Sequence, residues 1–195
     1  MADVLKIFKD ADALLEGHFK LSSGKHSDIY YEKFNILKKP RLCEQVCIEM
    51  AKMFEHDNIE LVVGPTTGGV IIAFEVAKYL GVDAIYAEAA DDGKSRVFKR
   101  GFHIDEGTRV LIVDDVVTTG RAIFEVIDLV RQYKANIVGV GVFLDRSGGA
   151  VKIDYPFKAL ATVDASKRTW EVDDCPLCKK GMPLTQRGSR KFQKA

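Results

Sequence analysis

The sequence predicts an α/β fold in which a mainly parallel, twisted sheet is flanked by helices. From Leu61 onward, short aliphatic runs alternate with segments whose apolar residues recur at helical spacing, which is the pattern of successive βαβ units. The run 110–113 is aliphatic throughout, as is typical of a strand buried on both faces. Since ligands of such sheets bind at the carboxyl ends of the strands, the loops at that edge are the candidate site.

The composition indicates a single globular domain over residues 1–195. Of these residues 47% are hydrophobic and 29% are charged, and the formal net charge is +1. This charge gives no indication of nucleic-acid or membrane binding, and no run approaches the ~18 apolar residues of a membrane span. The first residues lack a basic segment followed by an apolar one, so we expect a cytoplasmic protein.

The amino-terminal region, approximately residues 1–38, predicts a small hood outside the main sheet. Apolar residues at helical spacing predict a first helix over 3–16, with Gly17 as its stop. Short strands on both sides of the Ser-Ser-Gly turn at 22–24 then predict an antiparallel element. We expect the carboxyl-terminal segment to join this hood.

The core of the fold is expected over approximately residues 40–165. A helix over 40–56 begins with Pro40, because proline is favoured in a first helical turn. The polar segment 88–103 has no apolar periodicity and is expected to be a loop. The remaining elements are strands at 61–63, 82–87, 109–113, 137–144, 151–153 and 157–163, and helices at 70–80 and 121–134.

The most informative stretch runs from Asp114 to Gly120 and follows the central strand with the sequence Asp-Asp-Val-Val-Thr-Thr-Gly. Helical spacing begins after Gly120, so backbone N–H groups and the positive end of a helix are placed to hold a phosphate. An ordinary helix cap would explain the Thr-Thr-Gly turn alone. Because the two carboxylates can accept hydrogen bonds from neighbouring hydroxyls, the whole block favours a ribose 5-phosphate.

Two further loops are expected at the same edge of the sheet. The loop Gly64–Gly69 could be a plain strand-to-helix turn, but its glycines and hydroxyls also suit a second anion, which beside the first indicates a diphosphate. Arg146 directly follows Asp145 at the end of another strand. Its guanidinium could pair with Asp145, or it could bind a carboxylate on the substrate.

The segment 88–103, here called the lid, is rich in cations and has Gly93 and Gly101 as hinges. A solvated loop is the ordinary interpretation of such a stretch, and a mobile basic lid over the diphosphate is the functional one. Lys99 and Arg100 are the candidates for closing over the diphosphate. The four cations of the lid are Lys94, Arg96, Lys99 and Arg100.

Residues 113–120 as a block resemble the phosphoribosyl-diphosphate signature of the type I phosphoribosyltransferases. The segments 16–31 and 144–146 resemble the orotate phosphoribosyltransferases, and 175–181 resembles the tail of their shorter-looped branch. This resemblance covers essentially the whole chain and implies the type I phosphoribosyltransferase fold. It implies transfer of the 5-phosphoribosyl group from phosphoribosyl diphosphate to orotate, which gives orotidine 5′-monophosphate and diphosphate in UMP biosynthesis.

The resemblance also implies the cofactor, the assembly and the site residues. Mg²⁺ would be bound through phosphoribosyl diphosphate and water, with no direct protein ligand, and a homodimer would share its sites through the lid. Asp114 and Asp115 would hold the ribose hydroxyls, and 116–122 the 5-phosphate. The orotate set is Thr118, Arg146 and Lys25, and the catalytic set is Lys99, Arg100 and Asp115. The phosphoribosyl-diphosphate set is Asp114, Asp115, Val116, Val117, Thr118, Thr119, Gly120, Arg121, Ala122, Thr66, Thr67 and Gly68.

The chain departs from many family members at three places. Ser22 stands where they have Lys, Thr67-Gly68 where they have Tyr-Lys, and the lid is shorter and begins Glu88-Ala89-Ala90. The diphosphate therefore has fewer cationic partners here. Two alternatives remain open: a purine phosphoribosyltransferase, in which Arg146 would meet no substrate carboxylate, and a non-catalytic phosphoribosyl-diphosphate-binding regulator, although no DNA-binding domain or basic face is evident.

The cysteines and histidines give little indication of a metal site. Cys175 and Cys178 have the spacing of half a zinc site, and no second pair follows. Cys43 and Cys47 lie on the apolar face of a predicted helix, so burial is expected. His18, His26, His56 and His103 have no ligand spacing, so the sequence does not favour a structural zinc site and leaves metal binding by Cys175 and Cys178 open. The basic stretch 187–191 is expected to be a solvated end.

Overall fold

The computed structural model describes residues 4–21, 23–93 and 95–187. Ser22, Lys94 and the end of the chain from residue 188, all considered above, lie outside the described residues. The strands are β1 (Leu14–Lys20), β2 (His26–Tyr31), β3 (Leu61–Pro65), β4 (Asp83–Ala89), β5 (Arg96–Val97), β6 (Arg109–Val117), β7 (Asn136–Asp145), β8 (Phe157–Thr162), β9 (Thr169–Trp170) and β10 (Thr185–Gln186). The α-helices are α1 (Val4–Asp10), α2 (Phe34–Leu37), α3 (Pro40–Lys52), α4 (Gly68–Leu80), α5 (Arg121–Gln132) and α6 (Pro176–Lys179).

The main sheet has six strands in the order β5-β4-β3-β6-β7-β8, and β5 alone is antiparallel to its neighbour. The predicted parallel sheet is thereby confirmed. Alternate residues of β6 enter different hydrophobic clusters: Leu111 and Val113 pack with α3 and α4, whereas Val110 and Ile112 pack with α5. Helices on both faces explain why this strand is aliphatic at every position.

The central strand β6 is longer than the sequence predicts, because it runs to Val117 instead of ending at residue 113. Its pairing with β7 continues to Val117 and Asp145, while its pairing with β3 ends at Ile112. Asp114 and Asp115 therefore lie inside the strand, beyond the point where β3 leaves it. The chain after β3 turns into α4 here, so the acids adjoin the loop Gly64–Gly69.

The hood is a four-stranded sheet in the order β10-β1-β2-β9. The predicted helix over 3–16 is wrong in its second half, because α1 ends at Asp10 and Leu14 begins β1. Asp12 has a left-handed φ of 55°, and Leu14 then pairs with Tyr31 of β2. Sheet pairing therefore overrides the helical spacing. The segment near the carboxyl end, for which the sequence predicts no strands after residue 163, contributes β9 and β10 to the same sheet.

The lid also departs from the sequence prediction, since part of it is a β-hairpin. Glu88 and Ala89 of β4 pair with Val97 and Arg96 of β5. Two aromatic residues anchor the segment: Phe98 packs on Tyr133 and Phe102 packs on Tyr86, with ring centroids 5.4 and 5.2 Å apart. The expectation of a plain loop is therefore wrong, because the strand pairing and ring contacts that order the segment join it to other elements, and two aromatic residues are too few to give a periodic signal.

Two smaller boundaries also differ. The expected helix over 40–56 ends at Lys52. The expected strand at 151–153 is not formed, because the N–H of Val151 donates to Ser147 Oγ and β8 already occupies the sheet edge beside β7. Within the described part of the chain, none of the helices has the length and apolar content needed to cross a bilayer.

Candidate active site

The loop between β6 and α5 forms one wall of a cavity of about 420 Å³. Gly120 has a φ of 77°, and a Cβ there would lie 2.7 Å from the ring of Phe124, so glycine is required on both counts. The cap residue of α5, Gly120, has no side chain to accept a hydrogen bond, and the N–H of Arg121 donates to Thr119 Oγ1 at 3.5 Å. Eight members of the expected phosphoribosyl-diphosphate set line this cavity: Asp114, Val116, Val117, Thr118, Thr119, Gly120, Arg121 and Ala122.

The two carboxylates of the motif are buried, with Asp114 7% and Asp115 4% exposed. Burial raises the pKa of Asp114, and the neighbouring charge of Asp115 raises it further, to about 8. Burial also raises the pKa of Asp115, although the ammonium of Lys33 opposes this shift. Lys33 Nζ lies 2.7 Å from Asp115 Oδ2, and Asp114 Oδ1 accepts a hydrogen bond from the N–H of Asp115 at 2.8 Å.

The loop Gly64–Gly69 packs closely against these acids. A Cβ on Gly68 would lie 2.3 Å from Asp115 Oδ2, so only glycine leaves room for the carboxylate. The Thr66–Thr67 peptide bond is cis. Of the three members of the expected set in this loop, Gly68 adjoins Asp115, and Thr66, Thr67 and Gly68 are not among the residues that line the first cavity.

Arg96 joins this loop to the cavity. Its Nη1 donates to Thr66 Oγ1 at 3.1 Å, its Nε donates to Glu125 Oε2 at 3.0 Å, and the residue lines the cavity. The sequence identified Arg96 only as one of four lid cations. The structure places it in a fixed position between the two loops expected to bind anions.

Lys99 and Arg100, the candidates for closing over the diphosphate, lie away from both cavities described here. Arg100 Nε is 3.3 Å from Glu88 Oε1, and Lys99 Nζ is 3.8 Å from Asp91 Oδ1. Both side chains are well exposed. The structure therefore does not bring them together with Asp115, and their catalytic role stays a prediction.

A second cavity, of about 470 Å³, contains all three residues expected to bind orotate: Lys25, Thr118 and Arg146. Thr118 lines both cavities, so they meet at this residue. The N–H of Arg146 donates to the carbonyl of Val117 at 2.8 Å, which fixes Arg146 beside the loop between β6 and α5. Burial lowers the pKa of Arg146, while nearby Tyr30 opposes the shift.

Arg146 does not pair with Asp145, because the Asp145 carboxylate accepts hydrogen bonds from Ser147 and Gly149. Asp145 Oδ1 accepts from the N–H and hydroxyl of Ser147 at 2.8 and 2.7 Å, and Oδ2 accepts from the N–H of Gly149 at 3.0 Å. Among the described residues, no carboxylate forms an ion pair with Arg146. A half-buried guanidinium in a cavity is therefore available to a ligand carboxylate.

Two features of the structure had no signal in the sequence. Lys33 carried no local signal, because its contact with Asp115 joins segments that are remote in the chain. The expectation that the histidines form no ligand set was wrong, since side-chain atoms of His18, His26, Cys175 and Cys178 lie within 4.8 Å of one another. Spacing rules could not find this set, because its two halves meet only in the hood sheet. The expected burial of Cys43 and Cys47 is confirmed.

The phosphoribosyl transferase domain model matches residues 35–178. The chain is similar to the orotate phosphoribosyltransferase of Caldicellulosiruptor saccharolyticus, with 46% identity over 189 residues and 97% of each chain covered. It is similar also to that of Thermotoga maritima, with 42% identity over 96% of this chain and 98% of the relative. The crystal structure of orotate phosphoribosyltransferase from Aeropyrum pernix superposes with a TM-score of 0.69 and 25% identity, over 91% of this chain and 98% of that one.

Proposed function

Since the chain belongs to the phosphoribosyl transferase family, we propose that it is an orotate phosphoribosyltransferase of pyrimidine biosynthesis. It transfers the 5-phosphoribosyl group from phosphoribosyl diphosphate to orotate and releases orotidine 5′-monophosphate and diphosphate. One observation carries the choice of base. Arg146 has no carboxylate partner among the described residues, and it lines the second cavity, which joins the first cavity at Thr118.

The first cavity takes the phosphoribosyl part of the substrate. Its loop at the start of α5 supplies backbone N–H groups and the positive helix end to the 5-phosphate. Asp114 lines the cavity, and with Asp115 it accepts hydrogen bonds from the ribose hydroxyls. Hydroxyl donors favour the ionised carboxylate, so substrate binding lowers the raised pKa of Asp114.

The second cavity takes orotate. The planar guanidinium of Arg146 can bind the orotate carboxylate through two parallel hydrogen bonds. Lys25 adds a second cation, which in the described structure forms an ion pair with Glu171 at 2.6 Å. This arrangement leaves the ring nitrogen of orotate facing Thr118 and the ribose.

The reaction is displacement at the anomeric carbon of the ribose by the orotate ring nitrogen. Positive charge develops on the ribose as the bond to the diphosphate breaks, as in glycoside chemistry. The two cavities accelerate this step by positioning both substrates, and buried Asp114 and Asp115 stabilise the developing charge. Arg96, held between the two anion-binding loops, neutralises the departing diphosphate.

We further propose that Mg²⁺ accompanies the substrate and is not held directly by the protein. The residues present fit this arrangement, because Lys33 already pairs with Asp115 and only Asp114 of the two acids lines the cavity. Mg²⁺ prefers phosphate and hydroxyl oxygens and keeps several waters, and when bound it offsets the charge of the diphosphate. From the protein side, Thr66, Thr67 and Arg96 hold that diphosphate.

We also propose a homodimer that shares its sites through the lid. Two observations support it: Lys99 and Arg100 lie away from the cavities of their own chain, and α4 exposes apolar residues on its surface, with Phe74 63% and Ile71 39% exposed. An exposed apolar patch of this kind is typical of a subunit interface. The cytoplasmic location expected from the sequence stays a prediction.

A base-consumption assay tests the proposed activity. The protein is incubated with phosphoribosyl diphosphate, Mg²⁺ and either orotate, adenine or hypoxanthine, and both base and diphosphate are measured. We expect loss of orotate with formation of an equal amount of diphosphate, and no loss of either purine. Consumption of a purine instead would indicate a purine phosphoribosyltransferase, and binding of phosphoribosyl diphosphate without turnover of any base would indicate a regulator.

A further inference from the structure

Two histidines of the hood and two cysteines near the carboxyl end form a compact cluster. His18 lies on β1, His26 begins β2, and Cys175 and Cys178 lie at and within α6. His18, His26 and Cys175 are buried, and Cys178 lies at the surface. No acid belongs to the cluster, so all four ligand atoms are imidazole nitrogen or thiol sulfur.

The hydrogen bonds of His18 determine which of its nitrogens is protonated. Nδ1 lies 2.9 Å from the carbonyl oxygen of Met182 and must donate to it, because a carbonyl only accepts. Nε2 of neutral His18 therefore has a bare lone pair that points into the cluster. A hydrogen bond from the far ring nitrogen to a backbone carbonyl is also what orients a metal-bound histidine.

Three polar atoms converge on this single lone pair. His26 Nδ1 lies 2.9 Å from His18 Nε2, Cys175 Sγ lies 3.5 Å from it, and Cys178 Sγ lies 3.6 Å from it. One lone pair accepts one hydrogen bond. Hydrogen bonding alone therefore satisfies only one of the three neighbours of His18 Nε2 and leaves the other two without a bond to it. A cation at the centre of the cluster would be bound by all four atoms at once.

We propose that His18, His26, Cys175 and Cys178 bind one Zn²⁺ ion in a closed structural site. Bonds of about 2.0 Å to nitrogen and about 2.3 Å to sulfur in a tetrahedron give N···S edges of about 3.5 Å. The edges from His18 Nε2 to the two sulfurs have this length, and His26 Nδ1 lies 3.2 Å from Cys178 Sγ. The two imidazole nitrogens, 2.9 Å apart, need to separate by a few tenths of an ångström, and all four ligand atoms already lie within 4.8 Å of one another.

The ligand set favours zinc in a structural role. Two thiolates and two imidazoles complete a tetrahedron and leave no position for water or substrate. Soft thiolate ligands also disfavour Mg²⁺, so this site is distinct in chemistry from the proposed substrate-borne Mg²⁺.

The ion would fasten the carboxyl-terminal segment to the hood. β9 and β10, on either side of α6, pair with β2 and β1 through only two residue pairs each. The same segment carries Glu171, which pairs with Lys25 beside the proposed orotate cavity. Loss of zinc would therefore free Glu171 from Lys25 and change KM for orotate more than KM for phosphoribosyl diphosphate.

Metal analysis of the purified full chain tests the site without any assumption about activity. We expect about one zinc per chain, as for a structural site that binds tightly at neutral pH. Cys178→Ser, at the surface, is expected to lose the zinc, whereas the matched control Cys47→Ala keeps it. Full zinc content in Cys178→Ser would overturn the proposal.

A second measurement on the unaltered chain covers the case in which a variant folds poorly. Alkylation with mass-spectrometric mapping is compared before and after removal of metal by a chelator. We expect Cys178 to be protected at first and to react after chelation, and Co²⁺ added to the metal-free chain to give the visible absorption of a tetrahedral thiolate site. A Cys175–Cys178 disulfide, or a Cys178 that reacts equally with and without chelator, would contradict zinc binding. Neither result depends on whether the chain uses orotate.

Discussion

The burial of Asp114 lowers the stability of the empty protein, and its proposed benefit is in binding the substrate. Asp114 lies inside the central strand at 7% exposure, and its hydrogen bond comes from the N–H of Asp115. Lys33 is paired with the neighbouring Asp115 instead. Burying a carboxylate without a directly paired cation costs free energy, which raises its pKa to about 8. Under the proposed function, the buried carboxyl group of Asp114 is kept for the ribose hydroxyls at a cost to the stability of the empty protein.

Asp114→Asn should therefore stabilise the empty protein while abolishing activity. Between the ordinary value of 3.8 and the raised pKa of about 8, native Asp114 keeps a proton that the unfolded chain has released, so the free energy of unfolding falls as pH rises. Asparagine does not titrate and keeps the hydrogen-bond acceptor. Over the three pH units from about 5 to about 8, a limiting slope of about 1.4 kcal/mol per pH unit sets an upper bound of about 4 kcal/mol on the gain of the variant over the unaltered protein.

Denaturant unfolding of both proteins at several pH values measures this difference. Asp115→Asn serves as a comparison in the activity assay, since we expect it to lose activity as well. Parallel stability curves for Asp114→Asn and the unaltered protein would show that Asp114 is already stabilised in the empty site. Normal turnover in either variant would remove that residue from the ribose site.

The elements differ in how far the sequence could predict them. The βαβ units were predictable because their apolar periodicity is local, and the phosphate loop followed from the residues between β6 and α5. The first helix was overextended, because the pairing of Leu14 with Tyr31 outweighs local spacing. The lid hairpin was not predicted, because Phe98 packs on Tyr133 at the end of α5, a residue far from the lid in the sequence. Contacts between remote segments carry no local signal.

The lid cations should affect turnover more than binding. Lys99 and Arg100 lie on an exposed stretch next to the lid hairpin, paired with acids of the lid and β4. If the lid closes as the diphosphate departs, these cations stabilise the transition state more than the ground state. Lys99→Ala and Arg100→Ala should each lower kcat about tenfold or more, with smaller changes in KM.

Steady-state kinetics of both variants check this prediction, with Lys134→Ala as the matched control. Lys134 is an exposed cation paired with Glu106 outside the two cavities. We expect the control to keep full turnover. Equal losses in the control, or an effect on KM alone, would exclude a role for the lid in the chemical step.

At the scale of the whole molecule, two sites join segments that are far apart in the chain. Thr118 and Arg146, which follow β6 and β7, meet Lys25 of the hood region in the second cavity, for which we propose orotate. The zinc ligands connect the hood to residues 175–178. The sequence predicted the first set through family resemblance, because each residue sits in a recognisable motif. It could not predict the second, because neither half is a complete ligand motif.

Subunit mixing tests the shared site proposed for the dimer. Lys99→Ala and Asp115→Asn spoil different parts of a composite site, so a mixed dimer keeps one intact site if the lid acts on the partner. We expect activity to rise above the average of the two separate variants when they are mixed under conditions of subunit exchange. Each variant mixed with itself is the control. The absence of any rise after verified exchange would show that the lid acts within its own chain.

The central claim is that Arg146 selects the base by its carboxylate, and the preference for orotate over uracil measures it most directly. Uracil is orotate without the carboxylate, so the ratio of their kcat/KM values isolates this one contact. Arg146→Ala should lower the ratio roughly a hundredfold, the equivalent of about 2–3 kcal/mol for a charge-assisted bidentate contact. Arg146→Lys keeps the charge but not the planar fork, so its ratio should lie between those of the unaltered protein and Arg146→Ala. An unchanged ratio in Arg146→Ala would contradict the assignment of the second cavity to orotate.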